Sequence, residues 1–150
     1  MTIRPLLLCL IALLCGALIS GCGSRSWHKG GVPGSRPYTV RGQTYYPLKS
    51  ATGFVEEGTA SWYAPGFHGK TTANGETYNQ YAMTAAHKIL PLGTQVRVTH
   101  LCNGRSINVR INDRGPFVDD RVIDLSRAAA TRLNVIGPGT ARVRVQSLGD

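Results

Sequence analysis

Apolar and polar positions alternate along six short stretches, Gly58 to Tyr63, Ala82 to Ala85, Gln95 to Leu101, Ser106 to Asn112, Val122 to Leu125 and Ala141 to Leu148. Each is bounded by Gly, Pro or Asn, as half-buried strands are. The spacing leaves little room for crossover helices, so the pattern predicts an all-β sandwich or small barrel. Asn103-Gly104, between two of these stretches, is the strongest hairpin signal in the chain. The arginines of Val96-Arg97-Val98 and Val143-Arg144-Val145 then belong to the solvated face of their strands. One helix is expected, capped by Ser126, favoured by Ala128 to Ala130, and ended by Asn134 and Gly137-Pro138. Pro91 to Val98 and Gly137 to Val145 look like two copies of one unit, each running from a Pro through Gly-Thr into a Val/Arg strand. Their recurrence predicts a barrel with internal pseudo-twofold symmetry.

A different pattern governs the N-terminal part. Arg4 precedes an almost wholly apolar run from Leu6 to Ile19, then Ser20, Gly21 and Cys22. The run is short for a membrane span and reads as a cleaved signal peptide, residues 1–21. The residues around Cys22 resemble a bacterial lipobox, in which the cysteine thiol receives a diacylglycerol and becomes the new N-terminus; the alternative is an ordinary secretory signal with an incidental cysteine. Gly23 supplies no acidic retention signal. By that resemblance the chain is a lipid-anchored lipoprotein of the outer membrane, facing the periplasm. Residues 22–51 are rich in Gly, Ser, Pro, Lys and Arg and are expected to form a flexible tether. Within it, Tyr38 to Tyr46 alternates around a turn signal and suits a small hairpin that docks on the domain or offers an aromatic surface. Residues 52–150 are left for one domain of ordinary size.

Composition narrows the partners. Seventeen Lys and Arg against eight Asp and Glu give a formal charge of +9, which suits an anionic partner such as a membrane surface or a cell-wall polymer. No nucleic-acid motif accompanies the arginines, so no nucleic acid is expected. Cys9 and Cys15 leave with the signal and Cys22 is acylated, so Cys102 alone remains as a thiol and no disulfide framework is expected. One Cys and scattered His suggest neither a metal site nor a cofactor.

Eight carboxylates, all after Cys22, limit the search for an acid. Glu56, Glu57 and Asp150 read as solvated, and Asp119 and Asp120 as turn residues, leaving Glu76, Asp113 and Asp124. Asp113 ends an alternating run just before Gly115-Pro116; there it either holds a proton for a leaving oxygen or caps the turn beside Arg114. Glu76 lies in a Gly-flanked loop after Asn74, where a glutamate is usually exposed. His87 either relays a proton or is a hydrogen-bonded structural residue. Asp124 reads as a structural carboxylate beside the helix start.

GTASWYAPGFHGKTTANGE, MTAAHKILPLGTQVRVTHL, NGRSINVRINDRGPF and RVIDLSRAAATRL, in that order, closely resemble the rare lipoprotein A family. The resemblance covers about Tyr38 to Leu148. It implies a six-stranded double-psi β-barrel and a peptidoglycan lytic transglycosylase. Such an enzyme cleaves the bond between N-acetylmuramic acid and N-acetylglucosamine without water and leaves a 1,6-anhydro sugar. The family's catalytic residues fall on Glu76, His87 and Asp113, with Asp124 as an additional acid. Trp62, Tyr63, Phe67, Asn74 and Arg114 are candidate substrate-binding residues, although Trp62 also suits a core. Many family members carry a C-terminal SPOR domain, which is not expected within these 150 residues. The rival expectation is a non-catalytic, expansin-like peptidoglycan-binding lipoprotein. A third is a tether that reaches a division protein through residues 38–51.

Overall fold

The computed structural model describes residues 34–118 and 120–149. Its elements run β1 (Tyr38–Val40), β2 (Gln43–Tyr45), β3 (Val55–Trp62), β4 (Thr84–His87), β5 (Gln95–His100), β6 (Ser106–Asp113), β7 (Arg121–Leu125), α1 (Arg127–Leu133) and β8 (Ala141–Ser147). The signal peptide and Cys22 expected from the sequence lie outside the described residues, and no described helix is long and apolar enough to cross a membrane.

Six strands close into a barrel in the order β3-β7-β4-β6-β5-β8. β3 pairs with β7, and β4 with β6, in parallel; the other four pairings are antiparallel. Exchanging β3 with β6, β4 with β7 and β5 with β8 leaves every pairing unchanged. This is the internal twofold that the two Pro/Gly-Thr/Val-Arg units predict, because their strands are β5 and β8. Residues 63–83 carry the chain from β3 past β7, the strand that lies between them, to β4.

Alternation explains the core. Val96 and Val98, Val109 and Ile111, Ile123 and Leu125, and Val143 and Val145 are fully buried, while Arg97 and Arg144 between valines are exposed. Helix α1 covers one side of the barrel with Ala129, Ala130 and Leu133. Ser126 caps it, its Oγ accepting from the Ala129 N–H at 3.1 Å and donating to the Ala82 carbonyl at 2.6 Å. Asn134, at φ 65°, ends it in the left-handed conformation.

Packed structure begins before residue 52. β1 and β2 form an antiparallel hairpin in which Tyr38 stacks on Tyr45 at 5.2 Å, and both rings meet Phe117. Tyr38 also donates its hydroxyl to the Lys88 carbonyl at 2.7 Å, and the Leu48 N–H donates to the Ile89 carbonyl. The polar composition of the segment conceals this because its aromatic partner, Phe117, lies far along the chain.

Candidate active site

One register defect organises the site. Along β4 and β6, Ala85 faces Ile111 but Ala86 faces Asp113, so Asn112 is an extra residue in β6. Strict alternation would put Asn112 opposite Ala86 and turn Asp113 to the core side. The bulge instead turns Asp113 out, a common use of bulges near functional groups. On its other side Ala86 faces Asp124 of β7. Asp113, Ala86 and Asp124 therefore share one face of the sheet, with two strand spacings, roughly 10 Å of backbone, between the two acids.

These residues line a cleft of about 340 Å³, whose walls include Trp62, Tyr63, Phe67 and Phe117. A larger cavity of about 640 Å³ between Arg105 and Arg132 contains no carboxylate. Asp113 is held by three donors. Its Oδ1 accepts the N–H of Ala73 and of Arg114, both at 2.8 Å, and its Oδ2 accepts the Tyr63 hydroxyl at 2.9 Å. Burial, and then the negative charge of Asp113, push the Tyr63 phenol far above its usual range, so it stays a neutral donor. Burial likewise pushes the Asp124 carboxyl up, against the opposing pull of Arg121, whose guanidinium takes both of its oxygens.

A family profile described as lytic transglycolase matches residues 55–145, well over half of the chain. The chain belongs to the lytic transglycolase family. This member of it is 58% identical over 114 residues to "Endolytic peptidoglycan transglycosylase RlpA" of Campylobacter jejuni, covering 76% of the chain and 42% of that relative. It is 60% identical over 121 residues to the protein of the same name in Pseudomonas aeruginosa strain UCBPP-PA14, covering 81% and 35%. The chain thus spans less than half the length of these curated relatives. Among solved structures it is similar to Streptomyces papain inhibitor, with TM-score 0.51, 24% identity and coverage of 63% and 94%. It is also similar to a Clavibacter michiganensis expansin, with TM-score 0.50, 23% identity and coverage of 65% and 52%. Both likenesses concern the fold, the double-psi β-barrel of this lytic transglycolase family member.

The other candidate residues divide by position. Glu76 does not line the cleft: it takes the Arg110 guanidinium on both oxygens at 2.8 and 2.9 Å and the Asn112 amide at 3.2 Å. Arg110, then Asn112, hold its carboxyl well below the ordinary carboxylate range, at about 2. Asn74 closes the same loop, its Oδ1 accepting from the Thr72 hydroxyl and the Glu76 N–H, while its own N–H bonds the Asn112 carbonyl. Glu76 and Asn74 thus clamp loop 71–77 onto the bulge, and that loop delivers the Ala73 N–H to Asp113.

His87 lies on the opposite face of β4, beside Ile123, and is buried. Nδ1 accepts the N–H groups of Ile89 and Leu90 at 3.2 and 3.1 Å, so Nε2 carries the proton and donates it to Glu56 at 2.9 Å. The Glu56 expected in solvent is therefore the partner of a buried histidine, and Glu57 pairs across strands with Arg144. Arg114 also lines the cleft, but its guanidinium donates to the backbone carbonyls of His87, Leu90 and Gly34. Trp62 both lines the cleft and packs against the core. Tyr63 does more than the expected apolar platform, because its hydroxyl contacts the acid.

Proposed function

We propose that this chain is a peptidoglycan lytic transglycosylase that cleaves the bond from N-acetylmuramic acid to N-acetylglucosamine, with Asp113 as its acid and base. The observation that carries the proposal is the cleft itself: Asp113 is turned into it by the Asn112 bulge, held by Tyr63 and two backbone donors, and flanked by aromatic walls. Asp113 as a carboxylic acid gives its proton to the glycosidic oxygen as the bond from that oxygen to the anomeric carbon breaks. The C6 hydroxyl of the same muramyl unit then attacks the anomeric carbon and loses its proton to the Asp113 carboxylate. The acid is restored, the product is a 1,6-anhydro ring, and no water is consumed. Because the nucleophile belongs to the substrate, one carboxyl serves both steps, unlike hydrolases that employ a second. The Tyr63 hydroxyl can donate to the carboxylate and accept from the acid, so one contact suits both states. Asp124, paired with Arg121, adds a polar wall beyond Ala86. The names of the relatives support peptidoglycan as the substrate.

The proposal places the chain in the cell envelope, anchored through a lipidated Cys22 in the outer membrane and facing the periplasm, where division proteins are candidate partners. The lipobox resemblance around Cys22 supports the anchor; the intact mass of the mature N-terminus tests it.

The deciding experiment incubates the full chain with sacculi and with amidase-stripped glycan and identifies soluble products by mass spectrometry. Anhydro-muropeptides or anhydro-saccharides that vanish with Asp113→Asn are expected. Reducing-end products would mean hydrolysis, and pelleting on sacculi without release would mean a wall-binding module.

A further inference from the structure

Phe117 lines two cavities at once. One is the cleft of Asp113; the other, of about 410 Å³, is walled by Val40, Arg41, Gln43, Tyr45 and Val118. The cleft of the acid and this second cavity therefore meet at Phe117, beside the β1–β2 hairpin. That hairpin lies ahead of the residues matched by the family profile, so this wall is an addition to the barrel.

The hairpin turn is built around an unfavourable choice. Its two central residues, Arg41 and Gly42, have φ of 51° and 81°. Such a turn favours Asn, Asp or Gly at both positions, and arginine adopts the left-handed conformation reluctantly. A residue placed against local preference invites a role outside the turn. The Arg41 side chain lies on the rim between the cavities, where one N–H donates to the Phe117 carbonyl at 3.4 Å. Arg110, Arg121 and Arg144 each face a carboxylate, but among the described residues none pairs with Arg41. Tyr45, tilted 5.5 Å from Phe117, adds an aromatic ring beside this cation.

We propose that the hairpin forms a further saccharide subsite in which Arg41 pairs with a carboxylate carried by the glycan strand and Tyr45 with Phe117 supplies the apolar wall. The inference rests on the glycan-cleaving function above. A polymer lying across the cleft must leave it over a rim, and this rim combines aromatic surface with a guanidinium suited to bidentate carboxylate recognition. Two sources offer the carboxylate: the lactyl group of a muramyl unit and the stem peptide attached to it.

The test measures calorimetric binding by the full chain carrying Asp113→Asn, with and without Arg41→Gly. Glycine fits the turn at least as well as arginine, so a binding loss does not come from unfolding; equal melting temperatures check this. The probes are a peptide-free strand of four disaccharides, one of two, a peptide-bearing strand of four, and a neutral chitooligosaccharide as long as the longest. Arg41→Gly is expected to weaken the long peptide-free strand about tenfold, the size of one charge-assisted hydrogen bond, and to leave the neutral oligomer unchanged. Weakening confined to the peptide-bearing strand keeps the subsite and assigns the carboxylate to the peptide. Equal affinity of both proteins for every strand overturns the proposal. The binding assay needs no turnover, so the two readings separate: Arg41-dependent binding, together with no anhydro product from the parent chain that retains Asp113, would sink the transglycosylase function and leave the subsite standing.

Discussion

His87 Nε2 lies 2.9 Å from Glu56 Oε2, and both nitrogens of this buried ring are committed on the side of β4 away from Asp113. Asparagine at 87 can still accept near the Nδ1 position, but it loses the Glu56 contact. His87→Asn is expected to lower unfolding free energy by about 1–3 kcal/mol in urea titrations. Product release per folded molecule should stay within about twofold. A loss of about a hundredfold without destabilisation would return the histidine to the catalytic group.

Asp113 and Tyr63 should separate by size of effect. Removing the proton carrier with Asp113→Asn is expected to reduce anhydro-product formation by about 100- to 10,000-fold. Tyr63→Phe removes one of three donors and should reduce it by about tenfold. Initial rates on amidase-stripped glycan compare them, and equal losses would mean that Tyr63 itself moves a proton.

The Glu76 clamp predicts an acid-sensitive component of stability. Because its folded-state value of about 2 lies below the ordinary 4.5, the contribution is fully present above about pH 4.5 and is lost as pH falls towards 2. The melting-temperature gap between the parent chain and Glu76→Gln should be constant at about pH 6–7 and close across that acid range. Glu76 is 43% exposed, so high salt should narrow the gap at neutral pH. A gap independent of both pH and salt would contradict an ionic clamp.

At Gly58 the constraint is packing. A Cβ there would lie 2.3 Å from Val122 Cγ1 across the β3–β7 pairing. Gly58→Ala is expected to cost about 1–3 kcal/mol, and adding Val122→Ala should recover part of it. Thermal melts of both singles and the double complete the cycle; additive losses would show that the two positions do not meet.

Local sequence carried much of this architecture. Alternation around Val96, Val109 and Val143 marked buried faces, and Ser126 with Asn134 bounded the helix, because these signals depend on neighbours along the chain. Strand limits drifted by up to three residues: β3 begins at Val55 where Gly58 was expected. Partners across the barrel were hidden. Nothing near Glu56 points to His87, and nothing near Tyr38 points to Phe117. The sense of Asp113 depends on the extra residue Asn112, and a bulge becomes visible only once β4 is set beside β6. Resemblance selected Glu76, His87 and Asp113 together, whereas the geometry puts only Asp113 in the cleft.

The strand order also dictates how the molecule must assemble. β5 and β6 are the only barrel neighbours that are consecutive along the chain, and β3 finds its partners in β7 and β8, at the far end of the domain. Early in folding, little beyond the β5–β6 hairpin can persist, and closure must wait for widely separated segments to meet, which favours a slow, concerted transition. A chain interrupted before Ala141 would leave β3 and β5 with bare edges, open to pairing with another molecule. The same lacing that brings Asp113 and Asp124 to either side of Ala86 makes the barrel indivisible.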